Sequence, residues 1–256
     1  MNGRRKVKQE EFLAGRDWQV ATLQEVTTST FEGFSASAGA SGAAAFQHGD
    51  VTKNPRWLYA AVLVRPPLEV LSWRPLPGAT SPERTLVAEV SVAGRTITVA
   101  SLAAPPASIR KWTPAQKVDQ LRAIRRLAEQ TWPLLIGIDQ NGPDVDHPDL
   151  RRSRWHNEEN DEDILFGQEA VDAHGLRDVF RTYLEQRPDR LERIRGRHPD
   201  GPLAVSYLRG PARTPCRYDL IAASPEFRVV DVTYLTDDSY EAGSDHAAIT
   251  AVLELS

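Results

Sequence analysis

The sequence predicts a single-domain α/β fold spanning residues 1–256, on three observations. Several short β-rich runs end abruptly in polar residues, one strongly capped amphipathic helix leads straight into an apolar strand, and the composition is that of a chain with a sizeable core. At 41% hydrophobic and 26% charged residues, the chain is neither disordered nor fibrous. Lys and Arg number 31 against 35 Asp and Glu, a formal charge of −4, so no bulk positive field draws the protein onto nucleic acid or an anionic membrane. Phosphate chemistry would need a local site. The one cysteine, Cys216, excludes an intramolecular disulfide and a cysteine-built zinc site, and fits a reducing compartment. Residues 1–11 are basic and polar, and no run of about 18 apolar residues follows. A cytoplasmic monomer without a membrane partner is therefore expected.

Along the chain, residues 20–23 form an apolar run that stops at Gln24 and Glu25, a strand end. The Ser, Ala and Gly stretch over 35–50 has no periodicity and predicts a surface loop. Residues 57–64, 86–92 and 96–101 are β-rich, and Ala93-Gly94 between the last two predicts a hairpin. Thr113, Pro114 and Gln116 supply an N-cap, a first-turn proline and a capping-box partner for a helix carrying Val118, Leu121, Ile124 and Ala128 at helical spacing. The apolar run 132–138 then reads as a buried strand ending at Asp139-Gln140-Asn141. The polar segment 142–167, with the acidic cluster Glu158, Glu159, Asp161, Glu162 and Asp163, predicts a long loop. A helix is expected over 168–184, and strands over 218–222, 227–234 and 247–255. Between Arg177 and Arg197 seven Arg face four acids, an excess of three, which suits either phosphate contact or a solvated helix face.

The strand ends collect the chemistry. Glu25, the Asp139 and Asn141 pair, Asp219 and Asp245-His246 all fall where layered α/β folds put their sites. Carboxylates without paired histidines or cysteines select a hard cation, and Mg²⁺ takes oxygen ligands while also binding substrate phosphate. Hydrolysis at phosphorus is the matching reaction, with a carboxylate or histidine handling the proton of the attacking water. Singly these signals are weak, because Asp-x-Asn is a common turn and Ser-Asp-His can cap a strand.

Their order is specific. Leu23-Gln24-Glu25-Val26, Ile136-Gly137-Ile138-Asp139-Gln140-Asn141, Arg217-Tyr218-Asp219-Leu220-Ile221 and Gly243-Ser244-Asp245-His246 resemble the endonuclease/exonuclease/phosphatase superfamily, of DNase I-like fold, across nearly the whole chain. Gly175-Leu176-Arg177-Asp178-Val179-Phe180 resembles the family's Gly-Leu-x-Asp segment. The resemblance implies a four-layered α/β sandwich, two mixed sheets flanked by helices, with the site at one end. It also implies a Mg²⁺-dependent phosphoesterase, with Mn²⁺ as the alternative ion, acting on a phosphodiester in nucleic acid or in a smaller phosphoester. Carried over, Glu25 and Asp245 would serve the metal, and Asp139 would orient or deprotonate the attacking water. Asn141 would contact the phosphate, and His246 would act on the phosphoryl group, steadied by Asp219. A buried strand-end hydrogen bond is the other role open to Asp219.

The pattern departs from the family in two places. Where the family carries a phosphate-contacting histidine after the strand at 98–102, this chain has Ala103. The family also opens with a central strand ending in an asparagine-containing stretch whose tail Asn2-Gly3-Arg4 resembles. That strand is expected to be missing here, through a late start site or a true truncation, with Asn2 near the metal. A catalytically impaired binding or regulatory protein of the same fold is the alternative that Ala103 and the missing first strand raise together. His48, His147, His156, His174 and His198 lack metal-ligand spacing and are expected at the surface. Trp112, Trp155 and Tyr207 are candidates for base stacking or for packing.

Overall fold

The apolar periodicities of the sequence become strands and helices in a computed structural model that describes residues 3–47, 58–106, 113–155 and 164–256. The elements run α1 (Gly3–Ala14), β1 (Val20–Val26), α2 (Thr28–Ala38), β2 (Ser41–Ala44), β3 (Tyr59–Val64), β4 (Glu69–Arg74), β5 (Thr85–Val92) and β6 (Arg95–Ala103). Then come α3 (Pro114–Gln130), β7 (Leu134–Asp139), α4 (Gln168–His174), β8 (Arg177–Asp178), α5 (Val179–Glu185) and α6 (Pro188–Arg197). The chain closes with β9 (Tyr207–Arg209), β10 (Thr214–Cys216), β11 (Asp219–Ala223), β12 (Phe227–Leu235), α7 (Thr236–Glu241) and β13 (Ala248–Leu255).

A six-stranded mixed sheet of order β4-β5-β6-β7-β11-β8 forms the centre. Its β6 and β7 run parallel, joined by α3 as such a crossover requires, and its other neighbours are antiparallel. On one face Ala100, Leu102, Ile136, Ile138 and Leu220 pack with Leu121, Ile124 and Leu127 of α3. On the other, Leu86, Ala88, Val90, Ile97 and Val99 meet the antiparallel sheet β1-β3-β2. Beside it, Leu135 and Ile221 meet Val229 and Val232 of the antiparallel pair β12-β13. All six residues of β3 are buried, so both its faces are covered, and Phe31 and Phe34 of α2 join that core. Helices outside two facing β-layers give the α/β sandwich expected from the motifs. No described helix is long and apolar enough to cross a membrane.

The hairpin and the capped helix form as the sequence predicts. Ala93 and Gly94 both take positive φ, 49° and 80°, the pair of values a two-residue turn with φ positive at both positions requires. Thr113 and Gln116 complete their capping box at the start of α3.

Four expectations need correction. Residues 35–47 are not a loop: α2 extends to Ala38, and Ala43, Ala44 and Ala45 are fully buried in and after β2. Small side chains lack a periodic apolar signal, yet they permit close sheet packing; a Cβ on Gly42 would come within 2.0 Å of the Val62 carbonyl oxygen. The helix over 168–184 is two helices, because Gly175 ends α4 in the left-handed region at φ 68° and Asp178 restarts the chain as the N-cap of α5. The basic residues 3–14, for which no element was expected, form α1. His147 and His174 are buried rather than superficial, their rings bonding the backbone around Asp149, Leu165 and Leu176. His48, His156, Trp112 and the acidic cluster lie outside the described residues.

Candidate active site

Strand register builds the site. In the six-stranded sheet Thr85 pairs with Leu102, Ala103 with Asp139, and Asp139 with Asp219. The ends of β5, β6, β7 and β11 therefore present Arg84, Ala103, Asp139 and Asp219 in one row. His246, just ahead of β13, closes that row with Nδ1 2.8 Å from Oδ2 of Asp219. Ser244 Oγ accepts the His246 backbone N–H at 3.1 Å, so the Ser-Asp-His segment is also a turn.

The facing sheet supplies Glu25. Strand β1 reaches across to the central sheet through Gln24, whose Nε2 donates to Ser101 Oγ at 3.1 Å and to the Gly137 carbonyl at 3.2 Å. Ser101 Oγ in turn donates to the Leu23 carbonyl at 2.7 Å. The approach demands a glycine at 137, where a Cβ would sit 1.8 Å from Thr22 Oγ1. An irregularity between Leu23 and Val26, with Glu25 at φ 58°, turns the carboxylate out of the ladder. Its side chain is 53% exposed and faces the Arg84 guanidinium, 9% exposed, at 3.4 Å.

Asn141 also takes positive φ, 50°, just beyond β7. Its backbone N–H donates to Oδ1 of Asp139 and its Nδ2 to Oδ2, both at 2.9 Å, while Nδ2 also reaches the Ala104 carbonyl at 3.0 Å. Lys117 of α3, itself buried, donates from Nζ to the Asn141 carbonyl at 2.8 Å. Tyr207 lies against the His246 ring with centroids 4.7 Å apart, and against Tyr218, which directly precedes β11. Of the aromatic candidates it alone is placed at the histidine among the described residues, and in a packing role; Trp155 packs beside the core under α3.

The charges are strongly coupled. Burial and the neighbouring Asp219 charge push the Asp139 carboxyl up to about 7, against the pull of His246, the Asn141 N–H and Arg84. Burial opposes charge on His246, but its bond to Asp219, the Asp219 charge and the charges of Asp139 and Asp245 outweigh it and push the ring up to about 10. At neutral pH the ring is an imidazolium, with Nε2–H available once Nδ1–H is held. Asp139, Asp219 and His246 each place a ligand-type atom within 4.8 Å of the others. The carboxylate oxygens of Asp139 and Asp219 are donors of the kind a hard divalent ion takes. It would also relieve the repulsion that raises Asp139.

Behind the row, Asp146 is buried against Arg217 at 2.7 Å and against Arg181, while Arg217 reaches Asp178 at 2.6 Å. Asp178 of the Gly-Leu-Arg-Asp segment thus anchors the strand carrying Asp219. Of the residues singled out in the sequence, Asp139, Asn141, Asp219 and His246 are joined directly, and Glu25 is linked through Arg84. Asp245 is exposed and reaches the row through its charge on His246. Asn2 lies outside the described residues. Sequence reasoning passed over Arg84 and Lys117; Arg84 is detectable only once the register sets it beside Ala103.

No protein-family model matches the chain, and no curated protein matches it. Solved structures do. An endonuclease/exonuclease/phosphatase from Bacteroides vulgatus superposes with a TM-score of 0.65 at 17% identity, over 99% of this chain and 91% of that one. The chain has the endonuclease/exonuclease/phosphatase fold. D. rerio TDP2 complexed with a single-strand DNA product shares this fold at a TM-score of 0.62 and 15% identity, covering 98% of this chain and 92% of its own. The human Nocturnin catalytic domain with bound sulfate does so at 0.62 and 16%, over 100% and 88%. Within the endonuclease/exonuclease/phosphatase fold of this chain, the four motifs occupy the ends of β1, β7 and β11 and the start of β13.

Proposed function

We propose that this chain is a divalent-metal-dependent phosphoesterase that hydrolyses a phosphodiester, with Mg²⁺ as the ion and Mn²⁺ as its substitute. The single observation behind this reading is the row Arg84, Asp139, Asp219 and His246, in which a raised carboxyl and a charged imidazole stand side by side. Structures of the same fold include a protein complexed with single-strand DNA product and a mannosyl-6-phosphatase, which agrees with chemistry at phosphorus. Glu25 and Asp245 would hold the ion, next to the Asp139 and Asp219 carboxylates, and when bound it would polarise the phosphoryl oxygens.

The chain's own residues divide the remaining work. Asp139, held in the row beside Asp219 and His246, takes the proton of the attacking water. Asn141 fixes both oxygens of that carboxylate. His246, kept cationic by Asp219, donates from Nε2 to a phosphoryl oxygen as negative charge grows there. Arg84 stands level with Ala103, so its buried guanidinium brings positive charge to the place where the sequence lacks a histidine. Among the described residues its Nε has no hydrogen-bond partner and its other nitrogens make long contacts to Glu25, leaving donors for an anion.

Hydrolysis of bis(p-nitrophenyl) phosphate by the purified full chain tests the reading. Turnover that requires Mg²⁺, stops with EDTA and disappears in Asp139→Ala is expected. Turnover that survives EDTA or this substitution would overturn it. Metal-independent silence would favour the impaired binding protein that Ala103 raises.

A further inference from the structure

The helix α6 puts Arg190, Arg193, Ile194 and Arg197 on one face, at the spacing i, i+3, i+4, i+7. Together with Leu203 and Val205 they line a concavity of about 360 Å³. Its floor is apolar and its rim is arginine. Arg190 is fixed in place, donating to the Tyr183 hydroxyl at 3.0 Å and lying over the Tyr183 and Phe180 rings. Arg193 donates to the backbone carbonyl of Asp189, its one hydrogen bond among the described residues. Of the two acids of the same helix, Glu192 is taken by Arg195 at 2.6 Å, and Asp189 stands in its first turn. Among the described residues no carboxylate forms an ion pair with Arg193 or Arg197. In a chain of net charge −4, this is a concentrated positive spot rather than a share of a general field.

One lining residue of the groove, Val205, lies close to the site along the chain. Val205 is two residues before Tyr207, at most about 7 Å of chain, and Tyr207 stacks on His246. The connecting backbone is pinned, since Thr236 Oγ1 donates to the Val205 carbonyl and the Ala247 N–H to the Ser206 carbonyl, both at 2.8 Å. We propose that this groove binds the sugar-phosphate backbone of a single-stranded nucleic acid whose scissile phosphate lies at His246, an inference that rests on the phosphodiesterase reading above. Arg193 and Arg197 meet phosphates beyond the scissile one, which a small phosphoester does not have. The apolar floor of Ile194, Leu203 and Val205 takes an unpaired base or sugar, surface that a duplex keeps stacked.

The test is the binding of a 5′-fluorescein oligothymidylate of twelve nucleotides to the full chain in EDTA, followed by anisotropy over a salt series. For single strands each neutralised phosphate contributes about 0.7 to the slope of log affinity against log salt. The pair Arg193→Gln, Arg197→Gln is expected to weaken binding and to lower that slope by about 1.4. The single substitutions Arg193→Gln and Arg197→Gln, each expected to lower the slope by about 0.7, serve if the glutamine pair fails to fold, and the pair Arg193→Lys, Arg197→Lys, which keeps the charges, is expected to retain the slope. Absence of binding by the unmodified chain, an unchanged slope in the glutamine pair, or tighter binding of the matching duplex would overturn the proposal. Mg²⁺-dependent hydrolysis of bis(p-nitrophenyl) phosphate, measured alongside, separates the two readings. Hydrolysis with an unchanged slope removes the groove alone, and arginine-dependent binding without hydrolysis removes the phosphodiesterase reading alone.

Discussion

His246 donates its Nδ1 hydrogen to Oδ2 of Asp219 across 2.8 Å, beneath the ring of Tyr207. The contact sets the charge of the ring, because burial by itself would favour the neutral form. In the metal-free protein, NMR titration should place the midpoint of His246 near 10. Asp219→Asn removes the largest countercharge, and the midpoint should then fall from about 10 toward the ordinary histidine range. The folded value lies above the unfolded one, so the pair's contribution to stability is complete below about pH 6.5 and is lost as pH rises through about 10. An unmodified protein whose His246 titrates at the ordinary value contradicts this account.

Asp146 behaves in the opposite sense. Although burial disfavours its charge, Arg217 and Arg181 hold its carboxyl well below the usual carboxylate range. Its contribution to stability is therefore present above the ordinary aspartate pKa of about 3.9 and is lost progressively as pH falls beneath it. Asp146→Asn leaves Arg217 short of one buried partner and should cost roughly 3–5 kcal/mol. Thermal melting from pH 7 to 3 should show a smaller acid-side loss in the variant than in the parent. Equal losses in both would refute the assignment.

Gly137 is where β1 and β7 touch. Gly137→Ala puts a methyl group 1.8 Å from Thr22 Oγ1, with the Thr22 Cβ at 2.8 Å, so the two sheets must separate. A loss of about 1–3 kcal/mol is expected in urea unfolding, the usual cost of overpacking. Because Gln24 bonds the Gly137 carbonyl one residue before Glu25, turnover should fall as well. A variant as stable and active as the parent would show that the close approach is dispensable.

Arg84→Ala removes the cation level with Ala103 while leaving Glu25 solvated. The expected result is a fall in kcat/KM on bis(p-nitrophenyl) phosphate of about 10²–10³, the scale of a lost donor at a developing oxyanion. Arg84→Lys should recover part of it, since a point charge replaces the fork but not its geometry. Parent-level turnover in Arg84→Ala would remove arginine from the chemistry.

Consecutive residues encode what depends on neighbours. The capping box of Thr113 and Gln116, the Ala93-Gly94 turn and the apolar run into Asp139 are local patterns, and each is legible because its partners lie within a few positions. Motif order likewise pointed to the layered fold, and the strand ends named the acids and the histidine. Small-residue packing around Ala43, Ala44 and Ala45 was not legible, since alanine and glycine carry no periodic signal and their burial depends on which sheet meets them.

By itself the sequence determined which residue types stand at strand ends and which stretches are helical or extended. Only the tertiary structure decided that Thr85 pairs with Leu102, which sets Arg84 beside Ala103 and Asp139, and that the charge of Asp219 raises one neighbour while holding the other protonated. The physical reason is that register and burial are set by chain segments far apart in sequence, from 17 residues for Thr85 and Leu102 to 80 for Asp139 and Asp219. Proton affinities follow from the desolvation and charge that those distant segments bring to one place.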